Sequence, residues 1–363
     1  MQNSGTNLLG TGYRGTASSN RLIIANSATV IGRNASVYGM DQLLITDPGT
    51  VWTNSGLIAI GDTEGSAQGG QRGLLTITNG ARVYSLSGGV GSTANNGANL
   101  LNSNAVVVTG SGSQWFITSN LNIGISGSFN QPGNTLTITQ DGAVDPVGTL
   151  TVVTNNYLNL LGGTLGVANT TYTNLTGTPF TVGDGAQAAM LKVLGGTLAF
   201  NTGLTISTNA TLAGSGVIQS ATKVFGNLTP GVNGIGSITN NGAFSLTNNV
   251  VSVFDIATNF AGPGAVWDTL VVTNGTLNLG GTLKPVALGG YMPATNLSFM
   301  VMTSSVPLSG AFNNIADGTR VDVLTNVASP KAVGSIRVRI NPQSVVLENF
   351  NLFVMKGTVF FIR

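Results

Sequence analysis

The sequence predicts an all-β protein that folds as a parallel β-helix, a solenoid with little or no α-helix. Three observations favour this class: a long internal repeat, short strand patterns closed by glycine or asparagine, and a composition rich in glycine but poor in charge. Repetition of one unit is typical of solenoids, in which each copy buries the face of its neighbour. Repeated units produce an extended surface more readily than a single catalytic pocket, so the repeat also argues against an enzyme.

The internal repeat joins two segments that lie 63 residues apart. Leu-Leu-Ile-Thr at residues 43–46 returns as Val-Val-Val-Thr at 106–109, and the residues that follow match at the same offset. The identical pairs are Thr46/Thr109, Gly49/Gly112, Trp52/Trp115, Ile60/Ile123 and Gly61/Gly124. This offset indicates that one structural unit is stacked on copies of itself.

A shorter pattern recurs within these segments. Residues 75–83 and 136–144 both read apolar-x-apolar, a polar or glycine turn, and then valine, and residues 22–30 carry a fainter copy. Apolar alternation with period two is the signature of a strand with one buried face. The Asn-Gly at 79–80 and the Asp-Gly at 141–142 are expected to supply the positive φ of a tight corner.

From about residue 146 the repeat changes its form. Leu-Gly-Gly-Thr-Leu now appears three times, at residues 161–165, 194–198 and 279–283. The chain is therefore expected to contain three regions. They are N-terminal solenoid repeats over 1–145, Leu-Gly-Gly-Thr-Leu repeats over 146–300, and a β-rich end over 301–363 that caps the solenoid or pairs with another subunit.

The spacing of the corners favours a β-helix over other all-β folds. Barrels and propellers need hairpins or blades of about 40–50 residues with aromatic markers, whereas the corners here recur without hairpin pairing. At roughly 20–25 residues per coil and ~4.8 Å per rung, the chain would make about 15 coils and a rod of ~70–80 Å.

The composition favours stacked strands and argues against nucleic-acid binding. Of 363 residues, 52 are Gly and 7% are charged, against about 7% Gly and about 25% charged residues in an average soluble domain. Low charge suits stacked strands, because like side chains stack there and stacked charges would repel. A net charge of +2 argues against nucleic-acid binding, which requires clustered Lys and Arg. Arg337 and Arg339 come nearest to a cluster, and we interpret them as a solvated pair on an edge strand.

The chain contains no cysteine and no histidine. Disulfides, thiolate metal sites and catalysis by Ser-His-Asp or Cys-His groups are therefore impossible. No run of about 18 apolar residues is present, so no transmembrane helix is expected.

The second half of the chain resembles a known family. Its Leu-Gly-Gly-Thr-Leu runs, together with residues 209–218, 228–231, 254–256 and 267–270, are similar to the autotransporter-associated β-strand repeat. The Gly-Ser-x-Trp and Leu-Thr-Ile-Thr motifs of the first half resemble the threonine-rich repeats that precede it in such proteins. The resemblance covers about residues 20–350. It implies a right-handed β-helix with an extracellular, adhesin-like or surface-structural role in Gram-negative bacteria.

Carboxylates are the remaining candidates for catalysis. Asp62 and Glu64 alternate and would form a paired-carboxylate site, although a solvated glycine-rich loop is the stronger interpretation. A carbohydrate-active site would need several acids on one face of consecutive coils. Between residues 146 and 253 the charged residues are Asp184, Lys192 and Lys223, so that region is excluded.

Two further pairs of acids lie near predicted corners. Asp255 and Asp268 each follow an aromatic residue, and we expect them to cap backbone N–H groups. Calcium binding by this pair, or by Asp141 and Asp145, is the alternative. Our expectation is that the protein has no catalytic residue, no cofactor and no metal.

Six aromatic residues are candidates for stacking on sugars. The candidates are Trp52, Trp115, Trp267, Tyr84, Tyr157 and Tyr172. Because two of the tryptophans occupy equivalent repeat positions, packing between coils is the stronger interpretation for them.

These features together predict a non-enzymatic rod that is secreted or displayed at the surface of a Gram-negative bacterium as a rigid spacer or adhesin. Its partners would be further copies of itself or surface glycans, and not nucleic acid. A self-assembling extracellular filament is the related alternative, because open strands at residues 8–9 and 354–362 would pair with another subunit. A carbohydrate-active β-helix enzyme is the alternative of a different class.

Overall fold

The chain folds almost entirely into β-strands. A computed structural model describes residues 9–11, 19–62, 71–91, 102–124, 132–173, 177–232, 234–257, 267–325 and 331–353. Over these ranges the protein has 31 strands, and its one helical element is a 3₁₀ turn at Leu288–Gly290. The expected all-β class with little or no helix is confirmed. Within the same ranges no helix has both the length and the apolar character needed to cross a membrane.

The strands are short, from two to twelve residues. The first sixteen are β1 (Leu9–Thr11), β2 (Arg21–Ile24), β3 (Thr29–Gly32), β4 (Ala35–Tyr38), β5 (Gln42–Ile45), β6 (Val51–Asp62), β7 (Leu74–Ile77), β8 (Arg82–Val90), β9 (Ala105–Thr109), β10 (Gln114–Ile123), β11 (Thr135–Thr139), β12 (Ala143–Val152), β13 (Tyr157–Leu160), β14 (Gly163–Tyr172), β15 (Phe180–Val182) and β16 (Ala189–Phe200). The others are β17 (Leu204–Ile206), β18 (Ala210–Gln219), β19 (Thr222–Val224), β20 (Asn227–Pro230), β21 (Ser237–Asn241), β22 (Phe244–Leu246), β23 (Val251–Ile256), β24 (Thr269–Thr273), β25 (Leu277–Leu279), β26 (Thr282–Ala287), β27 (Ser298–Ser304), β28 (Ser309–Gly310), β29 (Arg320–Leu324), β30 (Ala332–Asn341) and β31 (Ser344–Leu352).

A twelve-stranded sheet forms one ladder in chain order. Its members are β2, β5, β7, β9, β11, β13, β15, β17, β19, β22, β25 and β28. Every pairing along it is parallel. The step between paired residues ranges from 18 (Leu204 to Thr222) to 33 (Phe244 to Leu277). Some steps fall within the expected range of roughly 20–25 residues and others exceed it, because connections of unequal length join the strands.

The other nineteen strands form a second sheet. From β6 to β18 it is parallel, through β8, β10, β12, β14 and β16. Trp52 lies opposite Val83, and Val83 lies opposite Trp115. The 63-residue repeat thus spans two steps of the ladder rather than one. β12 contains both residue 145 and residue 146 and pairs on both sides, so the change of repeat type does not interrupt the sheet.

Antiparallel strands close the nineteen-stranded sheet at its C-terminal end. β30 pairs with β29 and β31, and β31 pairs with β27 and β30. Because β27 and β29 pair on their other sides with β24 and β26, each of these four strands has two neighbours. The β30–β31 hairpin turns at residues 342–343, away from the recurring corners, and the sequence did not reveal it. Residues 354–362, predicted to pair with another subunit, lie outside the described residues.

Buried side chains from both sheets form one apolar core. In the Leu-Thr-Ile-Thr motif, Leu75, Ile77, Leu136 and Ile138 are fully buried, while the threonines between them are partly exposed. The period-two pattern therefore predicted the inner face correctly. Each such burial stabilises the fold by about 1.5–3 kcal/mol.

The corners after these strands use left-handed backbone at two successive residues. Asn79 and Gly80 have φ of 53° and 81°, as predicted. At the second corner, however, Gln140 and Asp141 take positive φ, 48° and 63°, and Gly142 does not. Gly142 has a different reason to be glycine, because a Cβ there would overlap the carbonyl oxygen of Val108.

Candidate functional site

Three buried asparagines form a hydrogen-bonded ladder. Asn104, Asn134 and Asn156 immediately precede β9, β11 and β13. Oδ1 of Asn134 accepts the backbone N–H and the Nδ2–H of Asn104, at 3.1 and 3.0 Å. Oδ1 of Asn156 accepts the same two groups of Asn134, at 3.1 and 2.8 Å. The side-chain carbonyls of Asn134 and Asn156 thus each satisfy two buried donors of the preceding asparagine in the ladder. These bonds fix how the strands stack.

Glycines make the space for this ladder. Gly61 lies near the end of β6, and Gly91 and Gly124 directly follow β8 and β10, with φ of 85°, 61° and 80°. A Cβ on each would overlap the side-chain amide of the corresponding ladder asparagine. The identical Gly61/Gly124 pair of the repeat is therefore explained, and Gly91 is its unrecognised middle member. Sequence reasoning missed the asparagines, although each stands directly before an alternating strand pattern.

The two repeated tryptophans pack inside the protein. Trp52 and Trp115 are fully buried, so packing between strands, rather than stacking on a sugar, is their role. The indole N–H of Trp115 donates to Oγ of Ser85 at 3.0 Å. In the described part of the chain, the indole nitrogen of Trp52 has no hydrogen-bond partner. The register explains the difference, because Gly32 occupies on β3 the place that Ser85 occupies on β8.

Asp268 is an internal cap for two backbone groups. It is fully buried, and its carboxylate accepts the N–H of Gly236 at 2.7 Å and the N–H of Asp255 at 2.9 Å. This is the capping role predicted for it. Burial raises the pKa of Asp268 to about 8 and the pKa of Asp255 to about 6. The two N–H donors favour the Asp268 anion, but the loss of hydration outweighs them.

Two of the other candidate acids, Asp141 and Asp145, have separate surroundings. Asp145 forms an ion pair with Lys192 at 2.8 Å, and Asp141 lies at an exposed corner. Asp62 ends β6, and Glu64 lies outside the described residues. Across the described ranges no three Asp, Glu, His or Cys side chains gather as a metal site would require.

The two arginines that come nearest to a basic cluster lie on one strand. Arg337 and Arg339 alternate as exposed residues of β30, and Arg339 lies 3.8 Å from Glu348. They were predicted to lie on an edge strand, but β30 has neighbours on both sides.

Trp267, another candidate for stacking on sugars, packs edge-on against Phe299 with ring centroids 5.5 Å apart.

A groove opens in the twelve-stranded sheet where β13 and β15 diverge. The two strands share one register pair, Leu160 with Val182, whereas β11 and β13 share four. The groove has a volume of about 320 Å³. It contains two of the predicted stacking candidates, Tyr157, whose surface is 50% exposed, and Tyr172, which is 8% exposed. The third tyrosine, Tyr84, lies elsewhere and stacks on Phe116 at 4.4 Å.

Comparisons with known proteins give no relative: no protein-family model matches the chain, and no curated protein matches it.

Proposed function

We propose that this chain is a non-enzymatic structural or adhesin-like rod, secreted or displayed at the surface of a Gram-negative bacterium, and that its sheets form a right-handed parallel β-helix. The observation that carries the proposal is the parallel ladder of twelve strands in chain order. Such a ladder grows by ~4.8 Å per strand, so twelve strands extend about 50–55 Å along one axis. The likeness to autotransporter-associated repeats supplies the extracellular setting and the handedness.

The engagement of the charged residues supports a non-enzymatic role. Asp184 accepts the N–H groups of Ala186 and Gln187, both at 2.8 Å, and these bonds lower its pKa. Lys192 is held by Asp145, and the ammonium of Lys223 lies 4.7 Å from the ring centre of Phe225. A glycosidase needs two carboxyl groups that face one another across a substrate. Between residues 146 and 253, by contrast, the three charged side chains make structural contacts.

Spin-label distances test the helical stacking directly. Residues of one outward column, including Thr76, Thr205, Ser245 and Asn278, face the same side of the twelve-stranded sheet in the observed register. The chain has no cysteine, so single cysteines can be introduced without interference. With one label at Thr76→Cys, partners at Thr205, Ser245 and Asn278 should lie at no less than about 24, 34 and 38 Å, one increment of ~4.8 Å per strand plus the opening where β13 and β15 diverge.

A short pair provides the control for these distances. Labels at Thr205 and Lys223 lie on neighbouring strands and should broaden each other's spectra. Distances that fail to rise in the order of the strands would exclude the stacked architecture.

Negative-stain electron microscopy at several concentrations tests the rod against the filament. The hairpin of β30 and β31 leaves each strand at that end of the nineteen-stranded sheet with two neighbours, which disfavours head-to-tail growth. We therefore expect single short rods whose length does not change with concentration. Rods that lengthen without limit would establish the filament, and a discrete doubling would mean that one end pairs with itself.

A further inference from the structure

The groove between β13 and β15 is a wedge with one closed end. At the closed end Leu160 pairs with Val182, and the N–H of Gly183 donates to the carbonyl of Leu160 at 2.7 Å. Toward the start of both strands this pairing stops, although β13 stays paired with β11 and β15 stays paired with β17. The open part is about three residues long on β13. A molecule one or two rings across would fill it.

The floor of the wedge is an aromatic cluster that holds one hydroxyl in place. The ring of Tyr172 lies 5.1 Å from Phe180 and 6.1 Å from Phe200, and those two phenylalanines stack at 5.2 Å. Tyr172 itself is 8% exposed, so its ring is fixed within this cluster. Burial, with a smaller contribution from Tyr157, raises the pKa of Tyr172. A tyrosine hydroxyl can both donate and accept a hydrogen bond, so Tyr172 gives the floor of the wedge one polar group.

The rim of the wedge carries an aromatic face and neutral polar groups. Tyr157 is half exposed, and Asn159 and Thr181 border the same space. Among the described residues that line the groove, none has a charged side chain. Amides and hydroxyls both donate and accept, so they match a ligand that is dense in hydroxyl groups. The volume of about 320 Å³ is at the small end of ligand sites.

We propose that this wedge is a binding site for a neutral saccharide, with a sugar ring stacked on Tyr157 and a sugar hydroxyl bonded to Tyr172. A pyranose offers an apolar C–H face to an aromatic ring and hydroxyls around its edge. An ionic ligand is disfavoured because no side chain of opposite charge lines the groove. A peptide strand is disfavoured because added strands need a longer free edge than three residues. The site goes beyond the proposed rod, and it does not depend on the overall shape of the protein.

Isothermal titration with hexasaccharides tests the site. The probes are cellohexaose, xylohexaose and mannohexaose, with hexagalacturonate as the anionic probe of equal length and a Thr-Val-Thr-Val-Thr-Val peptide as the strand probe. We expect at least one neutral hexasaccharide to bind and the anionic one to bind more weakly. Tyr157→Ala should weaken the binding by about tenfold through loss of the stacking surface. Tyr172→Phe, which removes only the hydroxyl, should weaken it several-fold.

Tyr84→Ala is the matched control, since that tyrosine stacks on Phe116 away from the wedge, and it should leave the affinity unchanged. All variants must keep the wild-type circular dichroism spectrum. Absence of binding by every neutral probe overturns the proposal, and so does binding that Tyr84→Ala reduces as much as Tyr157→Ala, or binding of the peptide alone. A rod that binds no saccharide would leave the proposed structural role intact, so the two failures are distinguishable.

Discussion

Trp115 donates its indole N–H to the hydroxyl of Ser85 across 3.0 Å, inside a core where neither group meets water. Its repeat counterpart Trp52 has the same burial but faces Gly32, where no hydroxyl is available. A Cβ on Gly32 would stand 3.9 Å from Nε1 of Trp52 and 3.3 Å from Oδ1 of Asn54. Both atoms lack hydrogen-bond partners in the described residues. One missing hydroxyl therefore accounts for two unsatisfied buried atoms.

Gly32→Ser should stabilise the protein. The new hydroxyl can accept from Trp52 and donate to Asn54, and we expect a gain of about 1–2 kcal/mol over Gly32→Ala in urea unfolding. Gly32→Ala is the matched control, because it adds the Cβ and the backbone restriction without the hydroxyl. Conversely, Ser85→Ala should cost about 1–3 kcal/mol by leaving the Trp115 N–H unpaired. Equal stability of the serine and alanine variants at position 32 would contradict this account.

Asn134→Ala should be among the most destabilising single changes in the chain. It removes the acceptor of two buried Asn104 donors, and we expect a loss of about 2–4 kcal/mol. Asn241→Ala is the control, since it removes the acceptor of a similar but exposed bond from Asn274 at 2.9 Å. That control should cost less than about 1 kcal/mol, because water replaces the lost partner. Amide hydrogen exchange should show the loss of protection at Asn104 first, and similar losses from both variants would argue against a special role for burial.

The sequence alone predicted features that depend on local alternation or on exact recurrence. The inward position of Leu75 and Ile77 follows from a period of two, and the buried role of Trp52 follows from its recurrence as Trp115. Left-handed backbone at Asn79 and Gly80 was predictable from residue type.

Features that depend on which strands meet were beyond such reasoning. The ladder asparagines recur after 30 and then 22 residues, so no single period relates Asn104, Asn134 and Asn156. The wedge depends on the divergence of β13 from β15, which is set by pairing between strands rather than by either strand's own sequence. The way the β30–β31 hairpin joins the sheet likewise depends on the pairing of β30 with β29 and of β31 with β27, which neither strand's own sequence shows.

Raising the pH should destabilise the protein through Asp268. Its pKa is raised from 3.8 to about 8 in the folded state. The folded state therefore binds more protons than the unfolded state between these values, and stability present at low pH is lost as the pH rises toward 8. Asp255, raised to about 6, acts in the same direction. Thermal melting should accordingly give a lower Tm at pH 8.5 than at pH 5.

Asp268→Asn should flatten this pH dependence while lowering the Tm at pH 5, because an amide cannot accept both N–H bonds. Asp322→Asn, at an exposed position of β29, should leave the slope unchanged. The pKa values of Asp47 and Asp184 are lowered, chiefly by backbone hydrogen bonds. Their contribution to stability therefore changes below pH ~4, outside the range from pH 5 to pH 8.5. A wild-type Tm that is flat or rises from pH 5 to 8.5 would refute the assignment.

Gly166→Ala should disrupt an ion pair that it does not itself form. Lys192 on β16 reaches Asp145 on β12 across β14, where Gly166 lies opposite Lys192. A Cβ at that glycine would overlap Oδ1 of Asp145, so the carboxylate must move away. We expect a loss of about 1–3 kcal/mol in the free energy of unfolding. Gly234→Ala is the matched control, because a Cβ there meets nothing within 4 Å.

A double-mutant cycle separates this steric effect from a general intolerance of side chains in β14. In an Asp145→Ala background the obstructing carboxylate is gone, so Gly166→Ala should cost little. Lys192→Met should also reduce the cost, but less, because the carboxylate remains in the way after its partner has been removed. If Gly166→Ala is equally damaging in all three backgrounds, the strand itself, and not the Asp145–Lys192 pair, requires the glycine.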